Sequence, residues 1–197
     1  MTEDINKIGK DLEKSFYLRR PDVVARNLIG NIVLREYHGS RIGGTIVETE
    51  AYFGENDEVS HAYRGITERN KSMFKEGGHV YVYFTYGMHY CMNVVCGKMG
   101  VGRAVLLRAI RPEFGIETMK SLRKCEATNL TNGPAKLCQA LGIDKTLDGI
   151  SLFSGPVRIV EGQKSGIKIA SSFRIGVKES IPRKARYYVV SDEFVSK

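Results

Sequence analysis

The chain has 197 residues, 42% apolar and 26% charged, which is enough for one domain with a real core. Lys and Arg outnumber Asp and Glu by 30 to 22, so the net charge of +8 favours polyanionic partners without identifying one. No apolar run approaches the ~20 residues of a membrane span, and Met1–Lys14 carries charges where a secretory signal needs an apolar core. No membrane association is expected, and the compartment read from the sequence is the cytoplasm, with nucleoid association in a prokaryote.

Residues 1–15 read as a charged helical arm, with 16–197 as a single domain. Pro21 to Leu28, with Gly30 just beyond, has the Pro-first, Gly-last signature of a helix. Ile32–Tyr37 is a predicted strand, His38-Gly39-Ser40 a turn, and Ile42–Tyr52 the partner strand. The polar stretch from Glu55 to Gly78 is a long loop, of a length that usually carries function. Val80 to Asn93 then forms an aromatic hairpin turning at Gly87, and Val105–Ile110 an apolar strand interrupted by Arg108. Helices are predicted over 114–123 and 134–141, and short strands over 157–160, 167–170 and 187–190. There is no internal repeat and no linker, so the predicted fold is a β-dominated α+β single domain.

Cys91, Cys96, Cys125 and Cys138 show no metal-ligand or CxxC spacing and read as small hydrophobes, so no metal site is expected. The basic residues concentrate between Arg158 and Tyr188, where eight (Arg158, Lys164, Lys168, Arg174, Lys178, Arg183, Lys184, Arg186) face two acids. Arg103, Arg108 and Arg111 form a second basic group. A surface for a polyanion and a merely solvated face are both compatible with this pattern.

Strand alternation puts Ile46, Glu48, Glu50 and Tyr52 on one face and Val47, Thr49 and Ala51 on the other. The two glutamates read either as a site or as the solvated side of an edge strand. His61 follows in the long loop, where surface exposure and ligand contact are both open. In the hairpin Tyr81 and Tyr83 share a face, and Tyr86-Gly87-Met88-His89 forms the tip. Four tyrosines within ten residues exceed what a core needs, because each buried hydroxyl requires a partner. An exposed Tyr or Met at a hairpin tip is also suited to wedging between base pairs. Asn93 is an unusual strand residue, and Arg108 requires a counter-anion, from a glutamate or a phosphate.

The strings Ile46-Val-Glu-Thr-Glu-Ala-Tyr52, His61, Tyr81-Val-Tyr-Phe-Thr-Tyr-Gly-Met-His-Tyr-Cys-Met-Asn93, Leu106-Leu-Arg-Ala109, Asn132-Gly-Pro-Ala-Lys-Leu-Cys-Gln-Ala-Leu141 and Arg174-Ile-Gly-Val177 together resemble the alkyladenine (3-methyladenine) DNA glycosylase family. The match runs in family order from about Phe16 to Val195. The resemblance implies a curved, open-barrel-like antiparallel sheet, resembling the C-terminal domain of formyltransferases, with flanking helices and a protruding hairpin.

It further implies a monofunctional enzyme that flips alkylated or deaminated purines from duplex DNA and hydrolyses the N-glycosidic bond in base excision repair. No cofactor is implied, and a monomer acting on damaged double-stranded DNA is expected. Glu50 resembles the general base. Tyr52, His61 and Tyr83 resemble the walls that hold the flipped base, and Asn93 the residue that crowds the exocyclic amine of guanine. Tyr86, with Met88 beside it, resembles the side chain filling the vacated place in the duplex. Arg108 resembles an arginine near both the water and the target phosphate, and the Ile175 carbonyl would help hold that water. On this reading Glu48→Gln is milder than Glu50→Gln. Two other classes compete: a non-catalytic nucleic-acid binding module of the formyltransferase-like fold, and a carbohydrate glycosidase using Glu48 and Glu50. The absence of Trp argues against the latter.

Overall fold

The computed structural model of the protein describes residues 9–125, 129–178 and 181–196. The expected N-terminal arm lies largely outside the described residues. Its last part, from residue 9, packs on the sheet edge, with the Leu12 N–H on the Ile159 carbonyl and the Leu12 side chain in the core.

Eight strands form one curled antiparallel sheet, a half-barrel with few helices. They are β1 (Ile32–Tyr37), β2 (Ser40–Tyr52), β3 (Val80–Thr85), β4 (His89–Cys96), β5 (Arg103–Phe114), β6 (Val157–Val160), β7 (Ile169–Ser172) and β8 (Arg186–Val189). The main path runs β3-β4-β5-β2-β1-β6, and β7 joins it through β8, which pairs with β2. Helices α1 (Lys14–Tyr17), α2 (Pro21–Leu28), α3 (Ile116–Arg123) and α4 (Pro134–Ala140) flank the sheet.

Strand β2 organises the molecule. Its first half pairs with β1, its second half with β8, and its other side with β5 along nearly its whole length. Gly43 and Gly44 permit the close approach, since a Cβ on Gly44 would lie 1.9 Å from the Arg111 carbonyl. Register shifts after Gly43 and between Ile46 and Thr49 bend the strand, as bulges do. They also break the simple alternation read from sequence, because Ile46 lies in the same apolar cluster as Val47. From Val47 onward the expected pattern holds. Val47 and Ala51 enter the core, and the Thr49 hydroxyl donates to the Ala25 carbonyl, fixing α2 behind the two glutamates.

Several predicted boundaries shift. The helix expected from residue 114 begins at Ile116, because β5 continues through Pro112 to Phe114 and Gly115 makes the corner at φ 61°. Strand β7 begins two residues later than predicted, and β8 one residue earlier. Each change follows pairing partners, which local composition does not contain.

Candidate active site

Glu48 and Glu50 are fully buried, flanked by β5 on one side and β8 on the other. The solvated-edge alternative is therefore overturned: β2 is an interior strand there. Arg108 of β5, 7% exposed, spans the pair, with Nε 3.0 Å from Glu48 Oε1 and Nη1 3.3 Å from Glu50 Oε1. Its counter-anions are these two carboxylates.

The glutamates differ in what surrounds them. Glu48 accepts from Arg108 Nε, Arg186 Nε (2.6 Å) and the Ser196 hydroxyl (2.8 Å) on Oε1 and from the Ser196 amide (2.7 Å) on Oε2, four fixed donors in all. Glu50 is less completely held. The Ile175 amide donates to Oε1 at 2.8 Å and the Tyr52 hydroxyl to Oε2 at 3.0 Å. Burial pushes the Glu50 carboxyl above its ordinary range, against the opposing pull of Arg108 and these two hydrogen bonds. Burial and the adjacent Glu50 push the Tyr52 phenol far up as well, so Tyr52 keeps its proton and acts as the donor.

Beside Tyr52 opens a half-open cleft. Tyr52, His61, Tyr81, Tyr83 and Asn93 supply its aromatic and polar walls, and Val59, Met73 and Val177 its apolar ones. Tyr52 thus joins the cleft to the carboxylate, its ring on one and its hydroxyl on the other. His61 stands edge-on to Tyr83, with ring centroids 4.4 Å apart, and its Nδ1 lies 2.9 Å from the Tyr81 hydroxyl. Desolvation and the nearby Arg69 lower its pKa, which favours a neutral imidazole. Asn93 is buried, and its Nδ2 donates to the Tyr81 carbonyl at 3.2 Å, which fixes the amide against the cleft wall.

Several residues that hold this arrangement escaped the sequence reading. Asn70 donates to the carbonyls of His61 and Gly65 and accepts from the Thr67 amide, giving the polar loop a fixed shape. Asp148 accepts from the Val82 amide and Lys145 donates to the Val82 carbonyl, so the outer edge of β3 is covered between Tyr81 and Tyr83. Arg174, counted from sequence with the surface charges, is buried on Asp57, and Arg186 on Glu48. Arg111 pairs with Asp192 and Arg158 with Asp11. Lys164, Lys168, Lys178, Arg183 and Lys184 remain exposed. Buried ion pairs join segments distant in sequence, and of these the sequence hinted at Arg108 with a glutamate, because Arg108 interrupts an apolar strand.

The hairpin tip is a tight turn in which Met88 N–H donates to the Thr85 carbonyl. Tyr86 (φ 50°) and Gly87 (φ 68°) both adopt left-handed backbone, as a type I′ turn demands. This throws Tyr86 and Met88 into solvent, 83% and 68% exposed, an uncommon placement for large apolar side chains. Ile175, expected to act through its carbonyl, meets Glu50 through its amide.

Comparison with known proteins decides the family. The family model described as methylpurine-DNA glycosylase matches residues 15–193. The chain belongs to the methylpurine-DNA glycosylase family. A relative from Carboxydothermus hydrogenoformans is 45% identical over 189 residues, spanning 94% of this chain and 98% of its own. Others from Granulibacter bethesdensis (43% over 185 residues, 92% and 85%) and Clostridium beijerinckii (40% over 200 residues, 94% and 98%) are similar. All three carry the name "Putative 3-methyladenine DNA glycosylase". The protein is accordingly a DNA glycosylase, a hydrolase of the N-glycosidic bond acting in base excision repair. No described helix is long and apolar enough to cross a membrane.

Proposed function

We propose that this glycosylase releases alkylated or deaminated purines from duplex DNA by flipping them into the aromatic cleft, with Glu50 activating the attacking water. The observation that carries this is the join between cleft and carboxylate: Tyr52 lines the cleft and donates to a buried Glu50 of raised proton affinity. A carboxylate of raised proton affinity is a stronger general base, and its charge stabilises the cation developing on the sugar. Arg108 holds Glu50 in place from the side of β5. Base release from a lesion-bearing duplex, measured with the purified protein, is the direct test. Binding without release would instead favour the non-catalytic module. The carbohydrate reading is disfavoured by Glu48, which Arg108, Arg186 and Ser196 hold with four hydrogen bonds as a fully buried structural anion.

In this reading the flipped base lies among Tyr52, His61 and Tyr83. Stacking contributes roughly 1–3 kcal/mol per base and offsets the few kcal/mol needed to unstack a purine. Stacking does not distinguish hypoxanthine from guanine, which differ by one exocyclic amine. Asn93, fixed on the Tyr81 carbonyl, is the element that excludes it. Asn93→Ser is expected to raise release of guanine relative to hypoxanthine from matched duplexes, and an unchanged ratio would assign the exclusion elsewhere.

Tyr86, with Met88, occupies the gap that the base leaves. Tyr86→Ala is expected to slow excision from duplex DNA much more than from a single strand, where no gap needs filling. Equal losses on both substrates would refute the wedge. Lys178, Arg183 and Lys184 are exposed, and phosphate contacts there release counterions. The logarithm of affinity is therefore expected to fall linearly with the logarithm of salt, by about 0.9 per phosphate neutralised. A salt-independent affinity would exclude this surface.

None of the described lining residues of the cleft is a lysine, which supports hydrolysis by water without a strand-cleaving step. Residues 16–197 act as the glycosylase domain, as a monomer on damaged duplex DNA in the cytoplasm or nucleoid.

A further inference from the structure

The side chains of Arg174 and Asp57 have no exposed surface. They form a forked pair, Nη1 to Oδ2 at 2.6 Å and Nη2 to Oδ1 at 2.9 Å. A guanidinium so buried cannot be a phosphate contact. Other contacts of the pair bear on the site. Nη1 also donates to the Ala51 carbonyl at 3.1 Å, at the end of β2. The guanidinium carbon lies 4.7 Å from the centroid of the Tyr52 ring. Asp57 Oδ2 accepts from the Phe53 amide at 3.1 Å, which closes the turn leading into the His61 loop. The next residue, Ile175, gives its amide to Glu50.

One ion pair thus reaches both oxygens of Glu50 through single intermediaries: Tyr52 on Oε2 and Ile175 on Oε1. Stability alone is a poor reason for such a pair, since apolar replacements of buried ion pairs are often as stable. Holding two hydrogen-bond donors at fixed positions is a better one, because small displacements in a catalytic site are expensive in rate.

We propose that Arg174, gripped by Asp57, is a positioning residue of the glycosylase reaction: it holds the Tyr52 ring and the Ile175 amide on Glu50, making cleft and carboxylate one unit. This rests on the reading of Glu50 as the base. The groups that face Glu50 are Glu48 and Tyr52 from β2, Arg108 from β5, Arg186 from β8, Cys91 from β4 and the Ile175 amide. Of these, the proposal singles out Tyr52 and Ile175 as the ones that depend on Arg174. Loosening the Ile175 amide removes a donor that favours the ionised carboxylate, so the acid limb of the rate profile should move to higher pH.

The test uses full-length wild type, R174K and the double variant R174Q/D57N. Lysine keeps the charge but not the fork or the flat stacking face. The double variant removes both charges and strands neither. Single-turnover release of hypoxanthine from duplex DNA is followed across pH below the melting temperature, with enzyme saturating. Affinity for a duplex bearing an abasic-site analogue is measured in parallel. Both variants are expected to lose about 10-fold or more in rate. Their acid limb should rise by about one pH unit, while affinity for the analogue stays near that of the wild type. Active wild type with variants of unchanged rate and limb would overturn the proposal. So would variants whose rate falls only with their melting temperature while the limb stays fixed. Absence of release by wild type would instead overturn the proposed excision of deaminated purines, on which this inference rests.

Discussion

Glu50→Gln is expected to reduce base release by about 10²-fold or more while binding to lesion-bearing duplex persists, because the amide keeps the size but not the basicity of the carboxylate. Wild-type excision by this variant would remove Glu50 from the mechanism. The same residue sets the pH dependence. Burial raises its pKa, so the ionised form is complete only at higher pH than for an ordinary carboxylate. The ascending limb of the rate profile should accordingly lie above the usual glutamate range and disappear in the variant.

The sign of the stability effect is opposite to that of the activity effect. With a folded-state pKa above the unfolded one, the native state holds the Glu50 proton more tightly than the unfolded chain does. Ionisation of Glu50 therefore costs stability as pH rises from the unfolded pKa through the folded one. Glu50→Gln escapes it. Its melting temperature at pH 7 is expected to equal or exceed that of the wild type, which would show that lost activity is not lost fold. A marked drop in melting temperature would contradict this assignment of strain to the site.

Glu48→Gln should behave in the reverse way. The sequence reading makes it the milder of the two changes, but Glu48 anchors Arg108, Arg186 and both the amide and hydroxyl of Ser196. A glutamine offers one acceptor where the structure uses two, and leaves two largely buried guanidinium groups short of a counter-charge. Removing one partner of a buried ion pair costs about 3–5 kcal/mol. For a chain of this size that corresponds to a melting temperature lower by on the order of 10 °C. Thermal unfolding would decide the matter: a melt within about a degree of wild type would return Glu48 to a minor role. Activity in Glu48→Gln, measured well below its melt, should fall less than in Glu50→Gln.

How far the sequence reaches is clearest in the two halves of the site. The hairpin was legible because its information is local. Alternating Tyr81 and Tyr83, a Gly at the turn and an Asn on the return strand specify strand, turn and strand within fourteen residues. The run Val80–Asn93 folds accordingly, with Tyr81 opposite Asn93. The helix Pro21–Leu28 and strand Ile32–Tyr37 were legible for the same reason, as capping and alternation are short-range signals.

By alternation alone the carboxylates were legible as a pair, and only the family resemblance separated Glu50 from Glu48. Alternation places Glu48 and Glu50 on one face, yet which of them is left able to act depends on Arg186, Ser196 and Ile175, more than 120 residues away. The basic surface shows the same limit: composition counted Arg174 and Arg186 as free charges, and the tertiary structure buries both on acids from other segments. The sequence by itself determined the strand order in the chain, the hairpin and, through its long motifs, the family. Only the tertiary structure decided which charges meet, and therefore which donors surround each of the two buried glutamates. Charge pairing in a low-dielectric interior depends on distance in space, and the separation of residues along the chain carries almost no information about it.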